Sequence, residues 1–350
     1  MRTRPIVRER LESLPVQPPV SPMLGRLVRQ LPLGDFLYEP KWDGFRCLAF
    51  RDREGLDLRS RNQRPLARYF PELVYALLEL SAESFVLDGE ILVPSDGGYD
   101  FAALMARLHP AASRVNRLSA LTPAIFVAFD ALALDERDLR DEPFARRRTM
   151  LETFIAPRRG TIRLTPATKE PKLAQAWLED PDPGIDGVMA KPLDLPYRAG
   201  ERALLKVKLE RTLDCVLAGF RLLAERPLPS SLLLGLYDER GELRHIGVAG
   251  GFSERLRREL LAELEPVIVP LRGHPWERGF LLEGSPVGRL KGAAGRWAPD
   301  AMSLDWIPVE PSRVVEVSFD HLDARRLRHP ARFRHWRPDR DPRSCTFAQT

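Results

Sequence analysis

Lysine, histidine and cysteine are all scarce in this chain of 350 residues. Only seven of its 54 basic residues are lysines, and it has six histidines and three cysteines. Three widely separated cysteines exclude a disulfide framework and a paired-cysteine zinc site, and they favour a reducing compartment. No apolar run is long enough to span a bilayer, and the N-terminus lacks a signal-peptide core. We therefore expect a cytoplasmic protein that is not bound to a membrane.

The composition is that of a globular protein with a basic surface. Hydrophobic residues make up 44% of the chain and charged residues 29%, which allows sizeable cores. The formal net charge is +5 and the isoelectric point is near 9.3. A basic balance indicates a polyanionic partner such as nucleic acid. An arginine-rich proteome would produce the same balance, so this indication needs support from specific residues.

Patterning divides the chain into a leader and two domains. Residues 1–20 are basic and contain proline, which predicts a flexible leader. Residues 21–211 alternate strand-like runs such as "GLDLRSRN" with helical ones such as "PELVYALLEL". Residues 212–350 carry about five strand-like runs and one amphipathic helix, "SERLRRELLAELEPV", with Ser253 as its N-cap. This pattern predicts an α+β domain followed by a small β-barrel of the OB type.

Lys41, in "YEPKWDGFR", is the residue best suited to covalent chemistry. A lysine amine can lose its proton among crowded cations and become a nucleophile, whereas a guanidinium effectively cannot. Five further elements follow it in order, and they contain three more of the seven lysines. These elements are "RSRN" (59–62), "LDGE" (87–90), "FD" (129–130), "DGVMAK" (186–191) and "KVK" (206–208).

This ordered set resembles the motifs of the covalent nucleotidyltransferases, namely ATP-dependent DNA ligases, RNA ligases and mRNA capping enzymes. The segments "PPVSPMLG", "RYFPELV", "RVVEV" and "RFRHWRPDRDPRSC" resemble bacterial ATP-dependent DNA ligases of the short C type. The resemblance implies a nucleotidyltransferase (adenylation) domain with antiparallel sheets and flanking helices, then an OB-fold domain. It also implies ATP as co-substrate, Mg²⁺ or Mn²⁺, and nicked double-stranded DNA. A bacterial repair polymerase or primase-polymerase is a further expected partner, and the protein is expected to act at the nucleoid.

By this resemblance, three lysines carry the catalysis. Lys41 would attack the α-phosphorus of ATP and hold AMP as a phosphoramidate. Lys206 and Lys208 are two residues apart, so on a strand both side chains point to the same face and can reach one phosphate. An exposed strand face would give the same Lys-x-Lys spacing. The preceding "DGVMAK" has Asp186 where the family usually has glutamate, and Asp186 would bind the metal directly or through water.

The resemblance also implies a set of nucleotide-binding residues. Glu39 would recognise the adenine edge, Phe129 would stack on adenine, and Glu90 would bind the ribose hydroxyls. Lys191 would lie beside the phosphate lysines. Without the family context, Glu39 reads as a surface strand residue, Phe129 as core and Glu90 as a strand-end acid with an arginine partner.

Arginines complete the expected site. Arg46 and Arg61 would contact the nucleotide sugar or the DNA 5′-phosphate. The C-terminal stretch 328–343 contains six arginines, together with Phe333 and Trp336. Disordered basic tails seldom contain aromatics, so an ordered motif is expected here. In the family this motif closes over ATP and orients the pyrophosphate, which makes three arginines candidates: Arg332, Arg337 and Arg340.

Two other functions remain open from the sequence. An RNA ligase or a capping-type guanylyltransferase would share the lysine chemistry and differ in nucleotide or acceptor. A non-catalytic module that binds DNA ends would keep the basic surface without needing Lys41 as a nucleophile. Covalent labelling of the chain with ATP or GTP separates these possibilities.

Overall fold

The computed structural model describes the greater part of the chain as two compact units. The units are Met1–Leu209 and Glu210–Thr350, and their division lies close to the predicted boundary at residue 212. The described residues are 11, 13–109, 111–155, 160–179, 184–208, 211–279, 306–323 and 325–350. Among them, no helix is both long and apolar enough to cross a lipid bilayer.

The N-terminal unit contains both strands and helices. Its strands are β1 (Gly25–Leu27), β2 (Phe36–Trp42), β3 (Phe45–Arg51), β4 (Leu56–Ser60), β5 (Phe85–Leu92), β6 (Pro94–Ser95), β7 (Gly98–Tyr99), β8 (Ile125–Leu134), β9 (Arg137–Asp138), β10 (Ile162–Leu164), β11 (Ile185–Pro192) and β12 (Leu204–Lys208). Its α-helices are α1 (Pro71–Leu78), α2 (Phe101–Ala106), α3 (Ala112–Leu121), α4 (Phe144–Phe154) and α5 (Pro171–Glu179). A short 3₁₀ helix covers Ala67–Tyr69.

Two sheets organise this unit. One has the strand order β1-β12-β11-β2, and the other has the order β10-β8-β5-β3-β4 with β9 paired to β8. Most pairs are antiparallel; β1 with β12 and β10 with β8 are parallel. Strand β8 is buried along its whole length, which explains its almost uninterrupted apolar sequence. The sheets place β2, β11 and β12 side by side, and these strands carry six of the predicted site residues.

The flexible leader predicted for residues 1–20 is wrong in its second half. Leu11, Leu14, Val16 and Val20 are each no more than 6% exposed and belong to a core cluster of the N-terminal unit. Burial of these apolar side chains outweighs the disorder that the basic and proline residues suggested. Residues 1–10 lie outside the described residues.

The C-terminal unit is dominated by one antiparallel sheet. Its strands are β13 (Arg211–Leu222), β14 (Pro229–Tyr237), β15 (Leu243–Ala249), β16 (Ile307–Phe319), β17 (Leu322–Asp323), β18 (Arg326–Leu327) and β19 (Arg332–Trp336). The main sheet has the order β15-β14-β13-β16-β19. Its α-helix is α6 (Glu254–Leu264), and 3₁₀ helices cover Glu265–Val267, Pro342–Ser344 and Phe347–Gln349.

The C-terminal sheet curls towards closure. A parallel bridge between Ala249 and Ala331 joins the free edge at β15 to the chain entering β19. Helix α6 begins as predicted, because the Ser253 hydroxyl accepts a hydrogen bond from the Leu256 backbone N–H. Phe333 and Trp336 pack against the core, so the basic C-terminal stretch is an ordered strand. The predicted fold class is confirmed: an α+β domain with largely antiparallel sheets and flanking helices is followed by a domain of the OB type.

Candidate active site

Lys41 lies at the end of β2, where a tight turn leads into β3. Glycine is required in this turn, since a Cβ on Gly44 would lie 2.3 Å from the Ile91 carbonyl oxygen. The Lys41 ammonium donates to the Asp186 carboxylate, which lies on the neighbouring strand β11. A register shift in β11 passes through Gly187, whose φ is +141°. Gly44 in the turn and Gly187 in β11 therefore set the backbone path that brings Lys41 and Asp186 into contact.

Strand β12 brings two further lysines to the same place. The Lys208 Nζ lies 3.3 Å from the Asp186 Oδ2, the oxygen that Lys41 also contacts. Lys206 lines a neighbouring cavity, and burial together with the positive charges of Lys41 and Lys208 lowers its pKa. Three cations thus surround one carboxylate. Such a cluster can take up the negative charge of a phosphate group.

The cavity beside Lys41 has a volume of about 220 Å³. It is lined by residues from both sheets and from the segment preceding β1. Of the predicted site residues, the structure brings these together in its wall: Glu39, Lys41, Arg46, Arg61, Glu90, Phe129, Lys191 and Lys206. Its lining combines aromatic and aliphatic side chains with charged ones, which suits a ligand with a flat ring and phosphates.

Glu39 and Lys191 form a buried ion pair at the back of the cavity. The Lys191 Nζ lies 2.6 Å from a Glu39 carboxylate oxygen and donates to the Phe129 carbonyl at 3.1 Å. Arg148 adds a second bond to Glu39 at 3.0 Å. Burial raises the pKa of Glu39 and lowers that of Lys191, and the attraction within the pair opposes both shifts. The surface-strand interpretation of Glu39 is wrong, since it is only 2% exposed.

Arg46 is fixed by a closed ring of hydrogen bonds, which its own bond to the Met23 carbonyl oxygen at 3.4 Å completes. Its guanidinium donates two bonds to Asp88, at 2.5 and 2.6 Å, and its Cζ lies 4.4 Å from the centre of the Phe129 ring. The Tyr197 hydroxyl donates to Asp88 at 2.7 Å and accepts from the Met23 N–H at 3.1 Å. Burial and the charge of Asp88 raise the pKa of Tyr197, so the phenol stays a donor. Two walls of the cavity are thereby tied together.

Glu90 lies next to Arg46 on the pocket wall, at the end of β5. Burial raises its pKa to about 7, against the opposing effect of the Arg46 and Lys41 charges. A carboxyl group poised near neutrality can either accept or donate a hydrogen bond. Both options suit a partner that carries hydroxyl groups.

Asp186 offers a carboxylate for a divalent cation beside Lys41. In the described part of the chain, no group of three or more histidine, cysteine or acidic residues could hold a metal. Asp186 nevertheless fits Mg²⁺ or Mn²⁺ bound jointly with phosphates, because Mg²⁺ usually takes one or two carboxylates and completes its shell with water and substrate oxygens.

The predicted C-terminal arginines belong to the other unit. Arg337 and Arg340 both donate to Asp214, at 3.0 and 2.5 Å, and Arg337 also binds Asp339 at 2.8 Å. Arg332 is exposed at the start of β19. These contacts explain how the motif is ordered. The contact of these arginines with nucleotide stays a prediction.

Sequence reasoning missed three features of this site. Arg202 lines the cavity, and its signal was a basic residue close before "KVK". Tyr197 gave no local signal, because its partners Asp88 and Met23 are 109 and 174 positions away. Met23 itself lay at the edge of the expected leader.

Two family models match the chain, one to each unit. The model "ATP dependent DNA ligase domain" covers residues 22–208, and "ATP dependent DNA ligase C terminal region" covers residues 225–340. A solved structure from a study of Lig E DNA ligases aligns with 90% of this chain and 99% of its own, with a TM-score of 0.52 at 19% identity. This last likeness concerns the fold.

Curated relatives resemble the chain over almost its whole length. DNA ligase C2 of Mycolicibacterium smegmatis is 50% identical over 340 residues, which cover 96% of each chain. DNA ligase C of Mycobacterium tuberculosis is 46% identical over 96% of this chain and 95% of its own. With both units matched and the lysine-lined cavity in place, the chain belongs to the ATP-dependent DNA ligase family.

Proposed function

We propose that this protein seals nicks in duplex DNA, joining a 5′-phosphate to a 3′-hydroxyl with ATP as adenylate donor. The observation that carries the proposal is the placement of Lys41. Its amine lies at a cavity that also holds Lys206, Phe129 and Glu90, and Asp186 is its direct partner. A nucleophile, a phosphate-binding cation, an aromatic face and a hydroxyl-binding carboxyl are thus gathered within reach of one nucleotide.

The proposed reaction has three transfers of a phosphorus centre. First, the Lys41 amine loses a proton and attacks the α-phosphorus of ATP, and pyrophosphate leaves with the bonding electrons. Second, a 5′-phosphate oxygen of the nick attacks the same phosphorus and the N–P bond breaks. Third, the 3′-hydroxyl loses its proton and attacks the 5′-phosphorus, and AMP leaves. Each transfer exchanges one bond to phosphorus for another.

The residues around the cavity have distinct tasks in this scheme. Lys206 and Lys208 neutralise charge that builds up on the α-phosphate. Phe129 stacks on the adenine, and Glu39, whose carboxylate is held by Lys191, recognises the adenine edge. Glu90 binds the ribose hydroxyls.

The remaining groups handle phosphates. Arg46 and Arg61 contact the sugar or the DNA 5′-phosphate, and Arg332, Arg337 and Arg340 are proposed to orient the pyrophosphate. Asp186 would hold Mg²⁺ or Mn²⁺, which when bound supplies Lewis-acid stabilisation of charged phosphate oxygens.

The proposed acceptor, a nick in duplex DNA, favours a role in DNA repair. A gap must be filled before its last nick can be sealed, so a repair polymerase or primase-polymerase is a plausible supplier of the substrate. With DNA as its substrate, the protein is proposed to act at the nucleoid in the cytoplasm. Binding to DNA should depend steeply on salt, because the contacts are directed at phosphates.

The test compares wild type with Lys41→Ala and with Lys172→Ala, a matched control at an exposed lysine on α5. Each protein is incubated with α-labelled ATP or GTP and then offered nicked DNA or nicked RNA. Acid-labile ATP labelling and DNA sealing in wild type and Lys172→Ala, both lost in Lys41→Ala, support the proposal. GTP labelling or sealing of RNA alone would favour an RNA-end enzyme. DNA binding without any labelling would favour a non-catalytic module.

A further inference from the structure

Arg148, on α4, is a buried arginine that the predicted site does not include. It is only 5% exposed, and each of its three guanidinium nitrogens donates to a different residue. Nη1 donates to the Glu39 carboxylate at 3.0 Å, Nη2 to the Thr165 carbonyl oxygen at 2.8 Å, and Nε to Glu152 at 2.7 Å. The guanidinium is therefore held in one orientation, since each nitrogen of its planar fork has a partner.

Arg148 and Lys191 hold the two oxygens of the Glu39 carboxylate separately. Arg148 contacts Oε1, whereas Lys191, on β11, lies 2.6 Å from Oε2. The terminal torsion of a glutamate is otherwise soft, so a carboxylate with one anchor can turn about its own axis. Two anchors from different elements fix the plane of the carboxylate. Because each carboxylate oxygen has more than one acceptor site, Glu39 keeps capacity for a further donor.

The fixed carboxylate lies close to the aromatic part of the cavity. Glu39 and Phe129 both line the cavity, and Lys191 connects them. The Lys191 Nζ that contacts Glu39 lies 4.6 Å from the centre of the Phe129 ring. A flat base that stacks on Phe129 would therefore have an edge near the Glu39 carboxylate. An ionised carboxylate accepts hydrogen bonds and cannot donate them, so it suits an edge that carries an amino group.

We propose that Arg148 is a positioning residue for base selection, which favours adenine over guanine nucleotides by fixing the Glu39 carboxylate. The proposal rests on the proposed function, which takes ATP as the adenylate donor. Adenine carries an amino group where guanine carries a carbonyl oxygen. The amino group can donate to Glu39, whereas a carbonyl oxygen at the same place would face another acceptor and leave both without a hydrogen bond. Arg148 acts on this choice through Glu39.

Arg148 also has a structural contact, whose loss must be separated from a loss of base selection. The Thr165 carbonyl oxygen accepts from Arg148, and the Thr165 hydroxyl accepts from the Trp42 indole N–H at 2.8 Å. Trp42 directly follows Lys41. Loss of the Thr165 contact would weaken the binding of every nucleotide alike. Loss of the Glu39 contact would affect only a nucleotide that carries the amino group.

The test measures affinities for three nucleotides by isothermal titration calorimetry. They are ATP, GTP and the triphosphate of purine riboside, which lacks the amino group of adenine. All proteins carry Lys41→Ala, so that the nucleotide binds without transfer of adenylate, and thermal unfolding checks that each is folded. Arg148→Lys keeps the charge but lacks the planar fork, and Arg148→Met removes both. Glu152→Gln is the matched control, because Glu152 contacts the same guanidinium, is 48% exposed, and as glutamine keeps an acceptor oxygen.

With Arg148 in place, we expect ATP to bind about tenfold more tightly than purine riboside triphosphate, as for one hydrogen bond to a charged group. Arg148→Lys should reduce this ratio to about threefold or less, because a lysine cannot hold the carboxylate and the carbonyl oxygen in one fixed geometry. Arg148→Met should abolish the ratio, and Glu152→Gln should retain it. The preference for ATP over GTP should narrow in the same order.

Two results would overturn the role of Arg148. One is equal affinity for ATP and purine riboside triphosphate with Arg148 in place, a result that needs no Arg148 variant to fold. The other is an unchanged ratio in Arg148→Lys, with both nucleotides bound equally more weakly, which would show a purely structural arginine. Covalent ATP labelling of the chain that retains Lys41 tests the proposed function separately. Labelling without base selection refutes only the role of Arg148, and base selection without labelling refutes only the proposed function.

Discussion

Tyr197→Phe should weaken both the fold and the nucleotide site, although Tyr197 carries none of the proposed chemistry. The substitution removes one oxygen atom and leaves the ring in place. That oxygen donates to Asp88 at 2.7 Å and accepts from the Met23 N–H at 3.1 Å. Asp88 in turn holds Arg46 through two bonds. The variant therefore cuts the ring of hydrogen bonds at a single atom.

The expected loss of stability follows from the buried groups that lose the Tyr197 hydroxyl as a hydrogen-bond partner. Tyr197 is 6% exposed and Asp88 is fully buried, so water cannot readily replace the lost hydroxyl. An unsatisfied buried N–H and a weakened carboxylate together cost about 1–3 kcal/mol. In a domain of this size, each kcal/mol lost lowers the unfolding temperature by about 2–4 °C, so a decrease of about 2–12 °C is expected. Arg46 also loses orientation, which should slow Lys41 adenylation at low ATP by about tenfold.

The assay combines thermal unfolding with the rate of ATP labelling at low ATP concentration. Tyr75→Phe is the matched control, because Tyr75 is 43% exposed on α1. The reasoning is refuted if Tyr197→Phe behaves like Tyr75→Phe in both measurements. A loss of stability with unchanged labelling would show that the hydrogen bonds serve the fold and do not position Arg46.

Two further predictions concern buried charges. Since the pKa of Glu90 is raised from 4.5 to about 7, its contribution to stability is full below about pH 4.5 and is lost as the pH rises through 7. Denaturant unfolding from about pH 5 to about pH 9 should show this decline in the free energy of unfolding, on the order of 3 kcal/mol, in wild type and not in Glu90→Gln. The same dependence of unfolding free energy on pH in both proteins would contradict the prediction. Lys191→Met breaks the buried pair with Glu39 and should cost about 3–5 kcal/mol in denaturant unfolding. Adding Glu39→Gln should recover part of this loss, and a cost no larger than that of a surface substitution would contradict the prediction.

The location of the site could be predicted because its motifs lie on paired strands. Lys41 is the penultimate residue of β2 and Asp186 the second residue of β11, and these strands are direct neighbours. Lys206 and Lys208 alternate along β12 with the period that any strand imposes. A strand places its side chains so regularly that spacing in sequence becomes spacing in the fold. Spacing alone does not predict which motifs lie together in the fold. The order of the motifs, which resembles that of a known family, predicted this.

The contacts that stabilise the site were beyond the reach of local patterns. Glu39 meets Arg148 across 109 positions, and nothing near either residue marks the other as its partner. Leu11 and Leu14 illustrate the same limit, since they lie in a charged and proline-containing segment and only the assembled core shows why they are buried. The composition of a segment predicts only its average tendency to be ordered. Whether a given side chain is buried depends on its own position in the assembled core. Long-range pairing and tertiary burial are therefore the parts that required a structure.

The contact between Lys41 and Asp186 bears directly on why three lysines are gathered here. A protonated amine paired with a carboxylate cannot attack phosphorus, so this contact must open before the first transfer. Opening it would leave Asp186, only 6% exposed, without its closest cation. Lys208 already lies 3.3 Å from the same oxygen and can compensate the charge while Lys41 turns to the phosphate. In the proposed mechanism Lys208 would therefore balance the charge of Asp186 as Lys41 turns away and, together with Lys206, would neutralise charge on the α-phosphate.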